Sequence, residues 1–274
     1  HGDCIEITHR DVVINLNGFS ITGNGTGWGV YSQGLGKENI TIINGKLSNF
    51  SRGISIEASS GDVKNLFIKN VTISLMADAG IFISTNPLGI TENILIENNI
   101  ISLCKSGIQF SHIMNAFISE NILFNNSNSG IQLTRSEANL IKNNNIAFNS
   151  EGININDGSI NNTIMNNLLL NNAKSGISIS YSPNNTLIGN MINDNRDYGI
   201  FLNGSNFTLI FKNTVRLNGQ GLHVNGSGID TNNITRNDFC GNLNQDVFCS
   251  LNQIFIENNC FSSDGCGGIC GVCS

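Results

Sequence analysis

An aliphatic residue returns at nearly constant spacing along the whole chain, at intervals of 22 to 28 residues. A fixed period in this range is the signature of a repeat architecture, in which each repeat packs only against its neighbours. The pattern therefore predicts a solenoid of about eleven coils, with this column as the spine of its core. The predicted spine comprises Ile14, Ile42, Ile68, Ile96, Ile118, Ile141, Met165, Ile188, Ile210, Ile234 and Ile256.

Two further columns keep the same period. One is a glycine followed by an aliphatic residue, from Gly29-Val30 to Gly221-Leu222, after which apolar and polar positions alternate. Alternation with period two indicates a strand with one buried face, and the glycine permits a tight turn into that strand. We therefore predict that each coil consists of short strands separated by bends. The other column lies five residues after the spine, at Phe19, Leu47, Ile73, Ile101, Leu123, Ile146, Leu170, Asn193, Val215, Phe239 and Phe261.

Asparagine occupies the predicted bends, and the chain of 274 residues contains 48 of them. They recur two residues after the spine, as at Asn44 and Asn70, and three residues before it, as at Asn39 and Asn65. Asparagine tolerates the left-handed backbone region, and its amide bonds readily to nearby main chain. Stacked coils also place like amides one strand spacing apart, so we expect hydrogen-bonded ladders of asparagine side chains.

Composition limits the function classes. The net charge is −6, only 12% of residues are charged, and basic residues are not clustered, so we expect no nucleic acid partner. No apolar run approaches the length of a transmembrane segment. We expect one elongated all-β domain over residues 1–262, followed by a Cys-rich and Gly-rich tail over residues 263–274.

Six of the eight cysteines lie in the last 35 residues. One interpretation is a disulfide-bonded cap over the last coil, whose strand edges and core need cover. The other is a zinc or iron–sulfur knot, although the tail has a single CxxC element. Disulfides would place the chain outside the reducing cytoplasm, at the cell surface, in the periplasm or in the extracellular space. The disulfide candidates are Cys4, Cys240, Cys249, Cys260, Cys266, Cys270 and Cys273.

Cys4 precedes Ile5-Glu6-Ile7 and occupies the place that glycine holds in later coils. It is either a small buried residue or a partner for another cysteine, which a neighbouring molecule could supply.

The repeat unit resembles a known fold family. The segment Asn93-Ile-Leu-Ile-Glu-Asn-Asn-Ile-Ile, followed by Ser106-Gly-Ile-Gln-Phe, resembles the right-handed parallel β-helix repeats of the NosD-like and carbohydrate-binding/sugar-hydrolysis families. The stretch Val13-Ile-Asn-Leu-Asn-Gly-Phe-Ser-Ile-Thr-Gly looks like the usual start of such a helix. The resemblance implies a right-handed parallel β-helix of about eleven coils with a Cys-rich C-terminal cap. It does not fix a function, because this fold hosts lyases, hydrolases, epimerases, adhesins and structural proteins.

Candidate chemistry is sparse, because the predicted outward positions after the glycine column are mostly small and neutral. Coils three and four have longer loops, where Glu57, Asp62, Asp78 and Glu92 could gather beside Phe82 as a catalytic or sugar-binding cleft. The alternative is that these carboxylates are solvated loop charges. Flat faces for sugars, or for another copy of the protein, are offered by Tyr31, Phe82, Tyr181 and Phe201.

Eleven Asn-x-Ser/Thr sequons occur, a mild excess over chance in so Asn-rich a chain. Those at Asn39 and Asn70 belong to the predicted ladders and are interpreted as structural. The better glycosylation candidates lie in predicted bends or loops, at Asn24, Asn203, Asn206 and Asn225.

Copper is what the resemblance to NosD implies, and Cu(I) would require soft ligands such as Met, Cys and His. His112 and Met114 lie two residues apart and could share a strand face. His1 would add its amine and ring only if it is a mature N-terminus. The other His and Met residues are scattered, so we predict no metal site and no cofactor.

The sequence favours a secreted or cell-surface structural or adhesive protein that assembles end to end into filaments and carries glycans. The alternative is a carbohydrate-active lyase or hydrolase, or a polysaccharide-binding module, that uses the loops of coils three and four. A second alternative, implied by the resemblance, is a NosD-like periplasmic copper accessory protein. The expected partners are further copies of the chain or a polysaccharide.

Overall fold

The computed structural model describes residues 2–226, 231–251, 253–268 and 270–273. Short parallel strands follow one another along this part of the chain, each pairing with a strand about one period away. The strands are β1 (Ile5–Glu6), β2 (Val12–Asn15), β3 (Ser20–Thr22), β4 (Trp28–Gly34), β5 (Lys37–Ser48), β6 (Arg52–Ala58), β7 (Val63–Ser74), β8 (Ala79–Thr85), β9 (Thr91–Glu97), β10 (Ile100–Ser102), β11 (Ser106–Ser111), β12 (Ala116–Ser119), β13 (Ile122–Phe124), β14 (Ser129–Thr134), β15 (Leu140–Lys142), β16 (Asn145–Ala147), β17 (Glu151–Asn156), β18 (Thr163–Met165), β19 (Leu168–Leu170), β20 (Ser175–Ser180), β21 (Thr186–Ile188), β22 (Met191–Asn193), β23 (Tyr198–Asn203), β24 (Leu209–Phe211), β25 (Thr214–Arg216), β26 (Gln220–Asn225), β27 (Asn233–Thr235), β28 (Gln245–Cys249), β29 (Ile254–Ile256) and β30 (Ser263–Asp264).

The strands form three faces around one core. A 12-stranded parallel sheet, here called the front sheet, runs β1-β4-β6-β8-β11-β14-β17-β20-β23-β26-β28-β30. An 18-stranded sheet supplies the other two faces, which the 12-residue strands β5 and β7 join by running along both. Its spine face comprises β2, β5, β7, β9, β12, β15, β18, β21, β24, β27 and β29, and its side face comprises β3, β5, β7, β10, β13, β16, β19, β22 and β25.

The fold-class prediction is confirmed: the chain is an all-β parallel solenoid of about eleven coils with three disulfides near its C-terminal end. Its interior is one continuous aliphatic cluster that runs from Ile7 to Cys266. Most core side chains, such as Ile54, Ile81 and Ile108, are completely buried. Burial of this kind is the main favourable contribution to folding, and here it is repeated coil by coil.

The predicted spine is in register in coils one to six, nine and ten, and it slips by one residue in coils seven, eight and eleven. In coil eleven Ile234 pairs with Phe255, and Ile256 is 49% exposed. Ile141 pairs with Ile164 rather than Met165, and Leu187 rather than Ile188 precedes Ile210 in the ladder. Because side chains alternate across a strand, a shift of one position moves a residue from the core to the outer surface. The sequence is ambiguous here because the residue after each core position, Met165 or Ile188, is also apolar.

The column predicted five residues after the spine also slips by one residue, at its one polar member, Asn193. The core position in that coil is Ile192, and in the preceding coil it is Leu169. At the two ends, Phe19 and Phe261 are 72% and 75% exposed, whereas Ile21 pairs with Leu47 and packs against the core. The predicted column is therefore hydrophobic throughout once its register is corrected.

The corners between strands carry the predicted asparagines. Asn39, Asn44, Asn65 and Asn70 adopt φ values between 50° and 59°, as left-handed corner residues do. Their exposed side chains form a first kind of ladder, in which Asn65 Nδ2 donates to Asn39 Oδ1 over 2.8 Å. The ladder prediction is confirmed for these residues.

A second kind of ladder is buried, and it runs along the inside of the corners. Asn144 shows the arrangement in one such ladder. Its Nδ2 donates to the Asn167 amide oxygen in the next coil, to the Ile118 carbonyl in the preceding coil and to the Lys142 carbonyl in its own coil, over 2.9 to 3.0 Å. The ladder between spine and side faces comprises Asn99, Asn121, Asn144, Asn167, Asn190, Asn213, Asn237 and Asn258. The ladder between side face and front sheet comprises Asn126, Asn149, Asn172, Asn195, Asn218 and Asn242.

The C-terminal end is closed by three disulfides, Cys240–Cys273, Cys249–Cys266 and Cys260–Cys270. All six cysteines near that end are therefore engaged, and the alternative of a zinc or iron–sulfur knot is wrong. Cys249 ends β28, so its bond to Cys266 fixes the tail across the last front-sheet strands. Disulfides indicate an oxidising compartment. In the part of the chain that the structure describes, no helix is long and apolar enough to cross a membrane.

The two remaining cysteines have free thiols in different environments. Cys4 is exposed, so the prediction that it is a small buried residue in the place of the glycine is wrong. Cys104 is buried, and desolvation raises the pKa of its thiol to about 12. The Cys104 thiol is therefore protonated and shielded in the folded protein.

Replacing Asn144 by Ala should destabilise the protein by about 2 kcal/mol, because buried carbonyl and amide groups of three coils lose their partner. Asn145→Ala provides the matched control, since Asn145 is the next residue and its side chain is exposed on β16. Urea denaturation of both variants measures the difference. Equal destabilisation by the two substitutions would contradict a supporting role for the ladder.

Thiol titration with DTNB should detect one group, Cys4, in the native protein at neutral pH and two groups after denaturation without reductant. Cys104→Ala should remove only the second group. More than two thiols in the denatured, unreduced protein would contradict the three disulfides.

Candidate functional site

The outer surface of the front sheet carries one aligned side chain per strand, here called the front stripe. Its residues alternate with core residues, as Gln109 does between Ile108 and Phe110, so the strand period places them on the outside. The parallel register stacks them along the solenoid axis at about 4.8 Å per coil. The front stripe comprises Glu6, Tyr31, Ser55, Phe82, Gln109, Gln132, Asn154, Ser178, Phe201, His223, Phe248 and Asp264.

A charged cluster lies on this surface in coils three and four, around Arg52. Its guanidinium donates to Asp78 Oδ2 through Nε and to Glu57 Oε1 through Nη1, both over 2.8 Å. The same Glu57 oxygen accepts the Ser55 hydroxyl, also over 2.8 Å. Arg52 therefore neutralises two of the four predicted carboxylates at once, in the manner that a planar guanidinium allows.

Phe82 forms the floor of this cluster. The central carbon of the Arg52 guanidinium lies 3.8 Å from the centroid of the Phe82 ring, which is a close cation–π contact. The predicted proximity of Glu57 and Asp78 to Phe82 is thus observed, and the bridging residue that sequence reasoning missed is Arg52. Arg52 is the first residue of β6, directly before Gly53, and its side chain points outward.

The other two predicted carboxylates lie elsewhere, which corrects the expectation of one four-membered cleft. Asp62 and Glu92 belong to the start of the spine face, where β7 pairs with β9 and Lys64 aligns with Glu92. Lys64 Nζ lies 2.7 Å from Asp62 Oδ2. Hydrogen bonds from Lys64 and from the Ile90 amide lower the pKa of the Asp62 carboxyl, and the bond to Asp62 raises the pKa of Lys64.

A row of stacked rings lies on the same surface in coils eight to ten, here called the aromatic row: Tyr198, Phe201, His223 and Phe248. Tyr198 stacks on Phe201 with ring centroids 5.0 Å apart, and His223 stacks on Phe248 at 4.8 Å. Phe201 and His223 are 5.5 Å apart and inclined by 39°, so the four rings form one continuous aromatic strip along the solenoid axis, in which the stacked pairs cover part of each other's faces. The rings supply apolar area, and the Tyr198 hydroxyl and the His223 ring nitrogens add polar groups, a combination that suits sugar rings.

Amide groups border the aromatic row. Gln220 Oε1 lies 2.9 Å from His223 Nδ1, and Gln220 Nε2 donates to Gln245 Oε1 over 3.1 Å. The neutral ring of His223 therefore donates through Nδ1, which leaves Nε2 as an acceptor. An open cavity of about 360 Å³ adjoins the row and is lined by Arg196, Asp197, Tyr198, Gln220, Asn244 and Gln245.

Sequence reasoning found only Phe201 in this row. Tyr198 and Gln220 precede the glycine of their strands, in the same position as Arg52. Strict alternation would place them inside, but the glycine and the residue after it are both buried, so the residue before the glycine lies on the outer surface. Phe248 lies in β28, where no glycine marks the strand start.

The other predicted aromatic contacts do not belong to the row. Tyr31 lies at the N-terminal end of the front stripe, with its ring centroid 4.9 Å from that of Trp28. Burial and the nearby Glu6 carboxylate raise the pKa of Tyr31. Tyr181 follows β20 at a corner, with φ of 51°, and it is 66% exposed. It lies beside Gly204 rather than on the front stripe.

The four glycosylation candidates differ in their surroundings. Asn24 is exposed, and its Oδ1 accepts from both the amide and the hydroxyl of Thr26, the third sequon residue. Asn203 and Asn206 are half-buried, and the hydroxyl residues of their sequons, Ser205 and Thr208, are buried in corners. Asn225 is exposed and donates to Asn203 Oδ1, while Ser227 of its sequon lies outside the described residues. Glycosylation stays a prediction, for which Asn24 is the most accessible site.

The copper ligands suggested by the resemblance are not gathered in one place. His112 lies at the corner after β11, where burial and the nearby Arg135 lower its pKa, and Met114 bridges to Glu137 in the next coil. Among the residues that the structure describes, no three His, Cys, Asp or Glu side chains are grouped closely enough to hold a metal ion. The described residues therefore do not fit a copper site, and His1 lies outside them.

Family models match most of the solenoid. The model described as periplasmic copper-binding protein (NosD) matches residues 7–175, which is more than half of the chain, and the chain belongs to this family. The model described as right handed beta helix region matches residues 114–239. The predicted resemblance is confirmed. A search of curated proteins found no match.

Solved structures share the fold at low sequence identity. The A-module of the mannuronan C-5 epimerase AlgE6 from Azotobacter vinelandii matches with a TM-score of 0.71 and 14% identity, over 93% of this chain and 84% of that one. The AlgE4 A-module from the same organism matches with 0.63 and 16%, over 88% and 80%. The periplasmic alginate epimerase AlgG matches with 0.57 and 15%, over 89% and 78%. At these identities the similarity establishes the fold.

Acidification should destabilise the folded protein. Burial lowers the pKa of His223 and of His112 below the ordinary value of 6.5, so the unfolded chain takes up these protons first. The free energy of unfolding should therefore fall as the pH drops below about 6.5, and it should be unaffected by these groups above that pH. Thermal unfolding followed from about pH 8 to about pH 5 measures the effect.

His223→Gln should weaken this pH dependence, because it removes one of the two histidines whose pKa the fold lowers. An identical pH profile for the wild type and His223→Gln would show that the aromatic row does not hold this histidine neutral.

Proposed function

We propose that this chain is a polysaccharide-binding protein of an oxidising, extracytoplasmic compartment, which holds an extended glycan along the outer surface of the front sheet. The aromatic row is the observation that carries the proposal. Tyr198, Phe201, His223 and Phe248 provide a continuous strip of aromatic rings, and Gln220 and Gln245 place amide donors and acceptors at its edge. Flat rings combined with a few fixed polar groups are typical of sites for amphipathic ring-shaped ligands.

The front stripe gives the direction in which the glycan would lie. Between Phe82 and Phe201 the stripe consists of Gln109, Gln132, Asn154 and Ser178. The first three are partly exposed and offer neutral hydrogen-bonding groups, whereas Ser178 is buried. The five strand steps between the two phenyl rings span roughly 24 Å along the solenoid axis. An extended sugar chain laid along that axis would run from the Arg52–Phe82 cluster at one end to the aromatic row at the other.

Binding is favoured over cleavage by the arrangement of the carboxylates. Glycoside hydrolysis requires two carboxyl groups that face each other across a gap of about 5–10 Å, with room for the scissile bond. Glu57 and Asp78 are instead both bonded to Arg52, which occupies the space between them. Asp62 and Glu92 lie on the spine face. A lyase or hydrolase acting at coils three and four is therefore the second candidate.

The proposal keeps part of the structural and adhesive interpretation. A rigid rod that presents a glycan-binding surface suits a role at the cell surface, in the periplasm or in an extracellular matrix. Assembly into filaments by end-to-end stacking is a separate prediction, in which the first strands of one copy would have to contact the disulfide-bonded end of the next. Electron microscopy with and without reductant tests it. The copper accessory role has no ligand set among the described residues to support it.

Replacing both Phe201 and Phe248 by Ala should weaken glycan binding by roughly tenfold or more, since each lost ring contact costs on the order of 1 kcal/mol. The measurement is affinity electrophoresis in gels containing neutral or uronic acid polysaccharides, followed by calorimetry with oligosaccharides of the best ligand. Phe148→Ala is the matched control, because Phe148 is 59% exposed at the corner that precedes the front sheet.

Retardation by a polysaccharide that the double variant abolishes and Phe148→Ala preserves would support the proposal. No retardation by any polysaccharide, or equal loss in both variants, would contradict it. Shortening of the polysaccharide during incubation, lost in Glu57→Gln or Asp78→Asn, would establish the second candidate instead.

A further inference from the structure

The strands between Phe82 and Phe201 carry almost no charge on the outer surface of the front sheet. This stretch is formed by β8, β11, β14, β17, β20 and β23, and their outward side chains are mainly serine, threonine, asparagine and glutamine. Among these six strands, all of which the structure describes, the one charged residue is Glu151. It begins β17 directly before Gly152, is half-buried, and lies two strand steps, roughly 10 Å, from Tyr198 of the aromatic row.

A chain of hydrogen bonds converges on Glu151. Thr134 Oγ1 donates to Asn156 Oδ1 over 3.0 Å, and Asn156 Nδ2 donates to Asn154 Oδ1 over 2.8 Å. Asn154 Nδ2 in turn donates to Glu151 Oε2. Each amide is oriented by the next, with its NH₂ group directed toward the carboxylate. The chain therefore ends in a group that, when ionised, only accepts hydrogen bonds.

No cation of the described residues pairs with Glu151, because every ion pair among them involves another carboxylate. On the front surface, Arg52 is already shared by Glu57 and Asp78. The corners that border the six strands hold charges of both signs and no continuous basic row that a polyanion could follow. The charged residues within two positions of these strands are Asp78, Lys105, Lys174, Arg196 and Asp197 on one edge and Arg135 and Asp157 on the other.

A polyuronate would meet this surface unfavourably, because it carries a carboxylate on every sugar. Wherever it lay along the front stripe, one of those carboxylates would come close to Glu151, and like charges that face each other across an interface oppose binding. A neutral glycan has no such charge, and its hydroxyl groups can donate to Glu151 Oε1, the oxygen that Asn154 leaves free. Hydrogen bonds to a charged acceptor are stronger than those between neutral groups.

We infer that the glycan held on the front sheet is a neutral polysaccharide, and that Glu151 is the residue that excludes polyuronates. The inference rests on the proposed function, because it concerns the same surface and names the class of ligand. It assigns Glu151 two effects on specificity, which are acceptance of a sugar hydroxyl and repulsion of a sugar carboxylate.

Binding of matched polymers tests the inference on the full chain. The probes are soluble glucan, galactan and mannan, each compared with the polyuronate made from it by oxidation at C6, so that the two polymers of a pair differ in charge and not in linkage. Affinity electrophoresis gives the affinity for both members of a pair. The wild type should bind the neutral polymer about tenfold more tightly than its polyuronate. Added salt should narrow this difference, because it screens the repulsion of the polyuronate and leaves neutral binding unchanged.

Glu151→Gln isolates the effect of the charge. Glutamine already occupies this position in β26 and β28, as Gln220 and Gln245, so the variant should keep the fold. It should lower the ratio of neutral to polyuronate affinity by roughly threefold, in the range of a surface charge interaction. Glu137→Gln is the matched control, because Glu137 also accepts an asparagine amide, from Asn161 over 3.1 Å, but lies before β15 at the start of the spine face. Its ratio should equal that of the wild type.

A wild type that binds a polyuronate as tightly as its neutral parent, or more tightly, would overturn the inference and leave the proposed glycan-binding function standing. So would an equal change of the ratio in Glu151→Gln and Glu137→Gln, since net charge rather than Glu151 would then set the preference. Failure to bind any of the polymers would contradict the proposed function itself, and the inference with it.

Discussion

The buried asparagine ladders are the interaction on which the solenoid depends. A coil that turns a corner leaves main-chain amide and carbonyl groups without strand partners, and inside a protein such groups are costly unless they are bonded. Each ladder amide satisfies groups of its own coil and of the two beside it, as Asn167 does through Ile141, Met165 and Asn190. The aliphatic core can therefore remain uninterrupted, because no water is needed to solvate the corners.

Both outer surfaces follow from this arrangement. Since the corners hold every coil in the same register, a side chain that points outward in one coil lies directly above its counterpart in the next. Stacking turns single residues into continuous features: Tyr198, Phe201, His223 and Phe248 become an aromatic strip, and Arg52 reaches carboxylates from two coils. On the spine face the same stacking aligns Phe117 with Leu95 and Leu140.

The fold could be predicted from the sequence because the aliphatic columns recur in nearly every coil, and this period alone defines a solenoid. Register could not be predicted where Ile164 and Leu187 are followed directly by Met165 and Ile188, since either of two adjacent apolar residues could then occupy the core position. Glu57 and Asp78 were correctly placed near Phe82, but Arg52 was missed because a single arginine in a repeat carries no periodic signal. Phe248 was missed because β28 lacks the glycine, and the disulfide pairing cannot be deduced from spacing.

The constant step of the ladders has a consequence for how the binding surface can change. From Asn121 to Asn213 each ladder asparagine follows the previous one by 23 residues. A duplicated or deleted block of that length would place every amide opposite an equivalent partner and leave the hydrogen bonding intact. The distance between the Arg52 cluster and the aromatic row can therefore change only by whole coils, that is, in multiples of one strand spacing.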